Sequence, residues 1–457
     1  MNENHLTLIF HGGAGGVTGS NFMLRGRDGT EILIDCGMEQ GQKFAEDENR
    51  KPFPYDVTKV KTLLVTHAHL DHIGRIPQLV KAGFRGAIYS TAATKDIADI
   101  MFSDGYFLLE EQAKRDNLPL LYTLEDVREA LGLWQTVSYD EKKELEGGFS
   151  FALRDAGHIL GSAMVEITYR SKKIVFTGDL GNSPSPLLNN TKEITDATYL
   201  VMESVYGDRN HEGRQDRTNH LEDILEDAVK WGGTLLIPVF SIERTQTLLY
   251  EINSLVENGK IPSVPVFVDS PLAYKVTEVY RKRVNELKSA VQDQIKKGDD
   301  IFKFPKLKFT LTPQESGAIE HVAGPKIIIA GSGMSHGGRI RHHEARYLAD
   351  PKSTLLLVGY QVPGSLGRQL EDGAQSVTVD GVKTAVRARV IKLSGYSAHK
   401  GSDGLFAFVE RTADTLKQVF VVMGEPKASL FLVQRIRDYL GLDAQAPQKG
   451  DSVELEF

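Results

Sequence analysis

A single cysteine, Cys36, stands among the 457 residues, so no disulfide can form within the chain and any metal centre must draw on imidazole and carboxylate instead. Long apolar runs are missing too. Residues 6–10 make only a strand-sized patch with no basic stretch before it, and no later segment approaches the roughly 20 apolar residues of a membrane helix. A soluble, cytoplasmic protein with no membrane partner is expected. Short-period repeats and low-complexity tracts are also lacking, which excludes a solenoid or a mainly disordered chain. Cations are in deficit: 54 Lys and Arg against 61 Asp and Glu give a net charge of −7. Affinity for a polyphosphate comes largely from cations displacing counterions, so any contact with nucleic acid must rest on local patches. What is there, 41% hydrophobic and 25% charged residues, suffices for two or three domains with cores of their own.

Apolar runs rich in β-branched residues at 6–10, 31–35, 62–66, 173–177 and 200–202 alternate with helical periodicity at 73–81 and 93–112. That rhythm predicts an α/β architecture of stacked sheets with outer helices. Between about 208 and 385 the texture changes. Helices are expected at 219–231 and 245–256 and strands at 234–238, 264–269, 326–330 and 354–359, an alternation that suggests a parallel-sheet insert. Residues 296–308 read as a loop, and the chain closes on a helix at 428–440 and a short strand.

The chemistry gathers at strand ends. The run His67-Ala68-His69-Leu70-Asp71-His72 leaves a buried strand with three imidazoles and a carboxylate in six positions, a density that packing does not explain. His67 and His69 are two apart, so an extended backbone points both to one side, while Asp71 and His72 open the next helix and reach a second point. These donors suit zinc, and their arrangement suggests two ions. His158, in the glycine-flanked turn 156–162, and Asp179, just past the strand at 173–177, are each weak signals alone, as is Asp35 after 31–34. Together with the His-rich run they supply enough ligands for a metal pair.

The order Asp35, His67-x-His69-x-Asp71-His72, His158, Asp179 resembles the motif series of the metallo-β-lactamase superfamily. The later half resembles its β-CASP branch of nucleic-acid-processing enzymes, including bacterial and archaeal RNA-cleaving members and the polyadenylation endonuclease. The carriers are Met202-Glu203-Ser204-Val205-Tyr206-Gly207, with Val205 where the family usually has Thr, and Gly395-Tyr396-Ser397-Ala398-His399. Gly331-Ser332-Gly333-Met334 and Val358-Gly359-Tyr360-Gln361 are similar to the RNA-cleaving members. The fold implied is an αββα metallo-β-lactamase sandwich, residues 1–207 completed by 386–457, with an α/β β-CASP domain inserted at 208–385.

The resemblance also implies roles. His67, His69 and His158 would hold one zinc, Asp71 and His72 the second, with Asp179 bridging; a metal-activated hydroxide would attack phosphorus in line. His399, oriented by Glu203, would be the general acid, with Asp71 also among the catalytic groups and Asp35 fixing a metal-bound His or water. Arg244 at a helix start, Ser332 and Gly333 in the glycine loop, and Ser397 would meet the substrate. The basic run Arg339, Arg341, His342, His343, Arg346 is expected to guide the strand. With no stacking platform legible, backbone rather than sequence recognition is expected.

One departure stands out. RNA-cleaving members carry a further zinc-ligand histidine in Val-His-Gly-Glu, and this chain reads Val422-Met423-Gly424-Glu425. A thioether is a poor zinc ligand beside imidazole and carboxylate, so a weak second zinc is expected, with water, Glu425 or His336 to take the place. The reading is a zinc-dependent ribonuclease acting on single-stranded RNA; the alternatives are a DNA nuclease of the same family and a catalytically weakened RNA-binding relative. A homodimer is compatible with either.

Overall fold

The strand His5–Gly12 alternates half-buried and buried residues along its whole length, the pattern of a strand with one face on a core. It lies second in a seven-stranded sheet ordered Ser452–Glu456, His5–Gly12, Asn21–Arg25, Glu31–Ile34, Thr62–Leu64, Ala87–Ser90, Trp134–Thr136. A second seven-stranded sheet runs Asp443–Gln445, Gln418–Val422, Tyr199–Glu203, Lys172–Phe176, Ala163–Tyr169, Phe149–Asp155, Lys143–Glu144. Leu6, Leu8, Phe10, Phe22, Ile32 and Ile34 of the first meet Phe151, Leu153, Val165, Ile167, Phe176 and Val201 of the second in one buried cluster, the filling of a sandwich. The outer face of the second sheet is covered by Ser402–Glu410 and Pro426–Leu440, whose Leu405, Val409, Leu432 and Ile436 pack on Val175, Leu200 and Val419.

This computed structural model describes residues 5–41, 45–211, 216–361, 364–393 and 395–457. They divide into two units, Met1–Asn210 with His399–Phe457, and His211–Ala398. The second holds a six-stranded sheet, parallel throughout, in the order Leu307–Phe309, Val266–Asp269, Lys326–Ala330, Thr234–Pro238, Thr354–Leu357, Arg389–Lys392. Its central strands are buried on both faces, which is why they read as unbroken apolar runs.

Three features were not legible in the sequence. The loop at 296–308 ends in a strand, Leu307–Phe309, whose half-buried edge position leaves no apolar run to read. Arg389–Lys392, just past the expected end of the insert at 385, pairs with Thr354–Leu357 of the six-stranded sheet, and only the pairing partner shows to which sheet it belongs. The hairpin Ser376–Val379 with Val382–Ala385 was not legible at all.

Candidate metal centre

The parallel strands Glu31–Ile34, Thr62–Leu64 and Ala87–Ser90 end together, and the polar residues follow where the strands stop. Asp35 turns out of its strand at φ +58, an uncommon conformation for a residue with a side chain, and is buried. Its Oδ1 accepts from the Thr66 amide at 2.8 Å, and its Oδ2 accepts from Ser20 Oγ at 3.0 Å and lies 2.7 Å from His72 Nδ1. A proton on His72 Nδ1 donated to this carboxylate leaves the ring's lone pair on Nε2. The short helix Leu70–Ile73 carries Asp71 and His72, and it sits so close that a Cβ on Gly37 would lie 1.6 Å from the Asp71 carbonyl oxygen. Only glycine fits there.

Three imidazoles then converge. His67 Nε2 is 3.0 Å from His69 Nδ1, and His158 Nε2 is 3.3 Å from the same atom. Asp179 Oδ2, beyond Lys172–Phe176, is 3.4 Å from both His67 Nε2 and His158 Nε2. One ligand atom from each of His67, His69, His158 and Asp179 lies within 4.8 Å of the others. Burial and the neighbouring His67 keep His69 well below the ordinary imidazole range, and burial with His399 does the same to His158, so both offer lone pairs rather than protons. Nitrogen facing nitrogen can share one proton at most; a divalent cation satisfies the whole set. The residues therefore fit zinc.

The remaining oxygen, Asp179 Oδ1, is buried and lies 3.4 Å from His72 Nε2 without hydrogen-bond geometry on either atom. Asp71 Oδ2 is 3.9 Å from that same nitrogen. Burial alone would lower His72, yet Asp179, Asp35 and Asp71 outweigh it and hold the imidazole well above its ordinary range. The position favours positive charge.

Asp179 also belongs to a second group, with Glu203 and His399, and the Nδ1 of His399 lies 3.9 Å from the same Asp179 Oδ2. Glu203 ends the buried strand Tyr199–Glu203, and its Oε1 accepts from the Leu180 amide at 2.6 Å and stands 3.4 Å from His399 Nδ1. His399 is held by a bridge to Gly181 and by the Lys400 amide donating to the Leu180 carbonyl at 2.8 Å. Burial opposes its charge, but Glu203 and Asp179 outweigh burial and push the imidazole up to about 9.

All nine residues expected at the centre thus share one unit: Asp35, His67, His69, Asp71, His72, His158, Asp179, Glu203 and His399. Sequence reasoning missed Thr66 and Ser20, which orient Asp35, and Ser162, whose hydroxyl accepts from the His158 amide at 3.0 Å. Thr66 was findable as the residue joining the strand to His67; Ser20 carried no signal. Met423 is buried at φ +46 in the sandwich core with Phe10 and Phe22, its sulfur against Gly13, where a Cβ would lie 2.6 Å away. Glu425 is exposed, next to the helix Pro426–Leu440.

Arg244, Ser332, Gly333 and Ser397 belong to the other unit, as does the exposed His336. Arg244 opens the helix Arg244–Glu257, its guanidinium 5.9 Å from the centre of the Tyr396 ring. Ser332 Oγ accepts from the amides of His336 and Gly337 at 3.1 and 3.3 Å, so the hydroxyl braces its own loop. The basic run is a correction: Arg339 and His343 bind Asp269, Arg341 binds Asp380 and Arg346 binds Glu320. Those side chains are engaged within the unit by acids distant in sequence, which a count of cations along the chain cannot reveal.

Among known proteins, a metallo-β-lactamase superfamily domain matches residues 24–206, a β-CASP domain 245–370, and a Zn-dependent metallo-hydrolase RNA specificity domain 383–447. The chain is 35% identical over 427 residues to ribonuclease TTHA0252 of Thermus thermophilus, covering 93% of this chain and 95% of that one. It is 31% identical over 446 residues to an RNase J-like protein of Methanocaldococcus jannaschii, covering 97% and 98%. Transcription termination factor FttA of Pyrococcus horikoshii is 29% identical over 461 residues, covering 96% of this chain and 69% of that protein. A crystal structure of a protein of unknown function from Enterococcus faecalis shares the fold, with a TM-score of 0.58 at 14% identity over 99% of this chain and 100% of that one. No described helix is long and apolar enough to cross a membrane. Near-complete coverage by the two ribonuclease-like relatives and three successive domain matches show that the chain belongs to the β-CASP family of the metallo-β-lactamase superfamily and is a metal-dependent hydrolase.

Proposed function

We propose that the chain is a zinc-dependent ribonuclease that hydrolyses phosphodiester bonds of single-stranded RNA. The observation that carries this is the four-atom cluster of His67, His69, His158 and Asp179, in a chain that also matches an RNA specificity domain and a ribonuclease along almost its whole length. His67, His69, His158 and Asp179 would hold one ion, and His72 and Asp71, together with Asp179, would hold a second. Zinc bound there supplies Lewis acidity, lowering the pKa of water and offsetting charge that develops on phosphorus. Asp35 fixes the His72 tautomer from behind. His399, kept charged by Glu203, donates a proton to the leaving oxygen, a contribution of roughly 10²- to 10⁴-fold. Arg244, Ser332, Gly333 and Ser397 contact the strand.

Matched RNA and DNA oligonucleotides, cleaved by protein of measured zinc content, test the substrate class. RNA cleavage that chelation abolishes is expected; preference for DNA would replace the reading with a DNA nuclease, and RNA retention without cleavage with a binding protein. His399→Ala should slow turnover by about 10²-fold or more while bound zinc stays unchanged. Because Asp179, Glu203 and His399 themselves form a group able to hold a metal, equal loss of zinc would make His399 a ligand and end its role as acid.

A further inference from the structure

Phe240 follows directly on the buried residues Thr234–Pro238 and Val239, yet is itself 40% exposed. The strand it leaves is flanked by Lys326–Ala330 and Thr354–Leu357, and the chain crosses from one side of it to the other between those two strands. In open parallel sheets such a reversal opens a crevice at the C-terminal edge, where ligands bind. Other exposed aromatic side chains among the described residues, Phe107, Trp231, Phe431 and Tyr439, lie on helices.

The ring is seated on backbone from both flanking strands. A Cβ on Gly333 would stand 2.9 and 3.0 Å from Cδ2 and Cε2 of the ring and 3.0 Å from the Phe240 amide nitrogen, and one on Gly359 would stand 3.8 Å from Cε2. Neither glycine adopts a left-handed backbone, so conformation does not demand glycine at either place. Room for Phe240 does at Gly333. The backbone beneath is pinned as well, with the Val239 amide donating to the Ala330 carbonyl at 3.0 Å and Thr245 Oγ1 to the Phe240 carbonyl at 2.9 Å. An aromatic ring is thus held in place and left partly in water, against the tendency of apolar surface to be buried.

We propose that Phe240 is a stacking platform for one unpaired RNA base at this edge of the six-stranded sheet. The proposal rests on the ribonuclease reading and deepens it, since it adds a base contact where only backbone contacts were expected. Every base has a π-face, so the contact is tolerant of sequence and adds affinity without reading identity.

The test uses the zinc-loaded enzyme, an unstructured RNA oligonucleotide, and the same oligonucleotide with one abasic nucleotide placed at successive positions. Phe240→Ala should raise KM roughly fivefold to a hundredfold with a smaller change in kcat. Phe240→Trp should restore the wild-type KM, whereas Phe240→Leu, apolar but without a π-face, should not. At one position the abasic nucleotide should weaken the wild type and leave Phe240→Ala unaffected. Thermal unfolding of each variant checks that the fold is intact. A wild-type KM in Phe240→Ala, rescue by Leu equal to that by Trp, or equal abasic sensitivity in both proteins overturns stacking while the ribonuclease reading stands. Failure of the wild type itself to act on RNA removes both.

Discussion

Each unit contains a buried aspartate beside histidine, and only one of the two arrangements suits a metal. In the insert, Asp269 accepts from Thr310 Oγ1 and Ser316 Oγ, both at 2.6 Å, and from Arg339 Nη1 at 2.7 Å, with His343 Nε2 at 2.8 Å. In the sandwich, Asp179 meets His67, His72 and His158 at 3.4 Å each, and the imidazole nitrogens meet one another. Burial and His–Asp proximity are common to both. What differs is the supply of protons: each close contact of Asp269 has a donor in it, whereas the sandwich brings acceptors together and leaves them for a cation.

The largest effect should separate the two sites completely. Asp179→Ala or His67→Ala should lose bound zinc and bring RNA cleavage to background, as chelation of the wild type should. Asp269→Asn should keep its zinc. Elemental analysis of the three variants beside cleavage assays decides it. Full activity in a metal-free Asp179→Ala protein would break the comparison, and so would zinc loss on changing Asp269.

Stability should show the reverse. Removing one partner from a buried charge network leaves the others uncompensated, so Asp269→Ala should destabilise the fold by on the order of 3 kcal/mol in denaturant unfolding. Burial alone would raise the Asp269 carboxyl, but hydrogen bonds from His343, Ser316, Thr310 and Arg339 outweigh it and hold the group below the usual carboxylate range. A depressed folded-state pKa contributes stability that is whole above the unfolded carboxylate pKa of about 3.9 and is lost as pH falls below it. Asp269→Asn should therefore flatten the acid limb of the stability profile. An unchanged limb would show that the network does not ionise as the geometry requires.

The two sites also differ in how far sequence reveals them. His67, His69, Asp71 and His72 are legible because one strand end and one helix start carry them within six residues, and His158, Asp179, Glu203 and His399 become legible through a family resemblance. Asp269 and His343 are far apart in sequence, with nothing local to mark either, and the cations around them read as a free basic patch. Phe240 was invisible for a related reason: an aromatic at the end of an apolar run looks like more core, and only the glycines of two other strand ends show that it is seated outside. The stacked sheets are readable from apolar runs such as residues 6–10, and their arrangement as a sandwich through the resemblance, while edge strands such as Arg389–Lys392 carry no such run.

The smallest effect concerns Met423, which stands where the family resemblance implies a further zinc-ligand histidine. Its backbone at φ +46 lies in a region that histidine tolerates better than most side chains, so Met423→His is compatible with the local conformation. The cost falls on packing, since the thioether belongs to the apolar cluster around Phe10 and Phe22 and an imidazole there must find a partner. Without metal the variant should unfold more readily than wild type. With zinc it should recover, because a ligand that binds the folded state stabilises it by mass action. Losing even a supporting partner of a metal ligand commonly costs about 10- to 100-fold in affinity, so gaining an imidazole ligand should tighten the second ion by at least about tenfold, on the order of 1.4 kcal/mol. Cleavage should then be faster at low zinc, and the advantage should shrink as zinc saturates both proteins. Metal titration of wild type and variant, with RNA cleavage measured at each point, separates the outcomes. If wild type already binds two ions tightly and the substitution changes neither occupancy nor rate, another group completes the site, and Asp179 Oδ1 is not short of a partner after all.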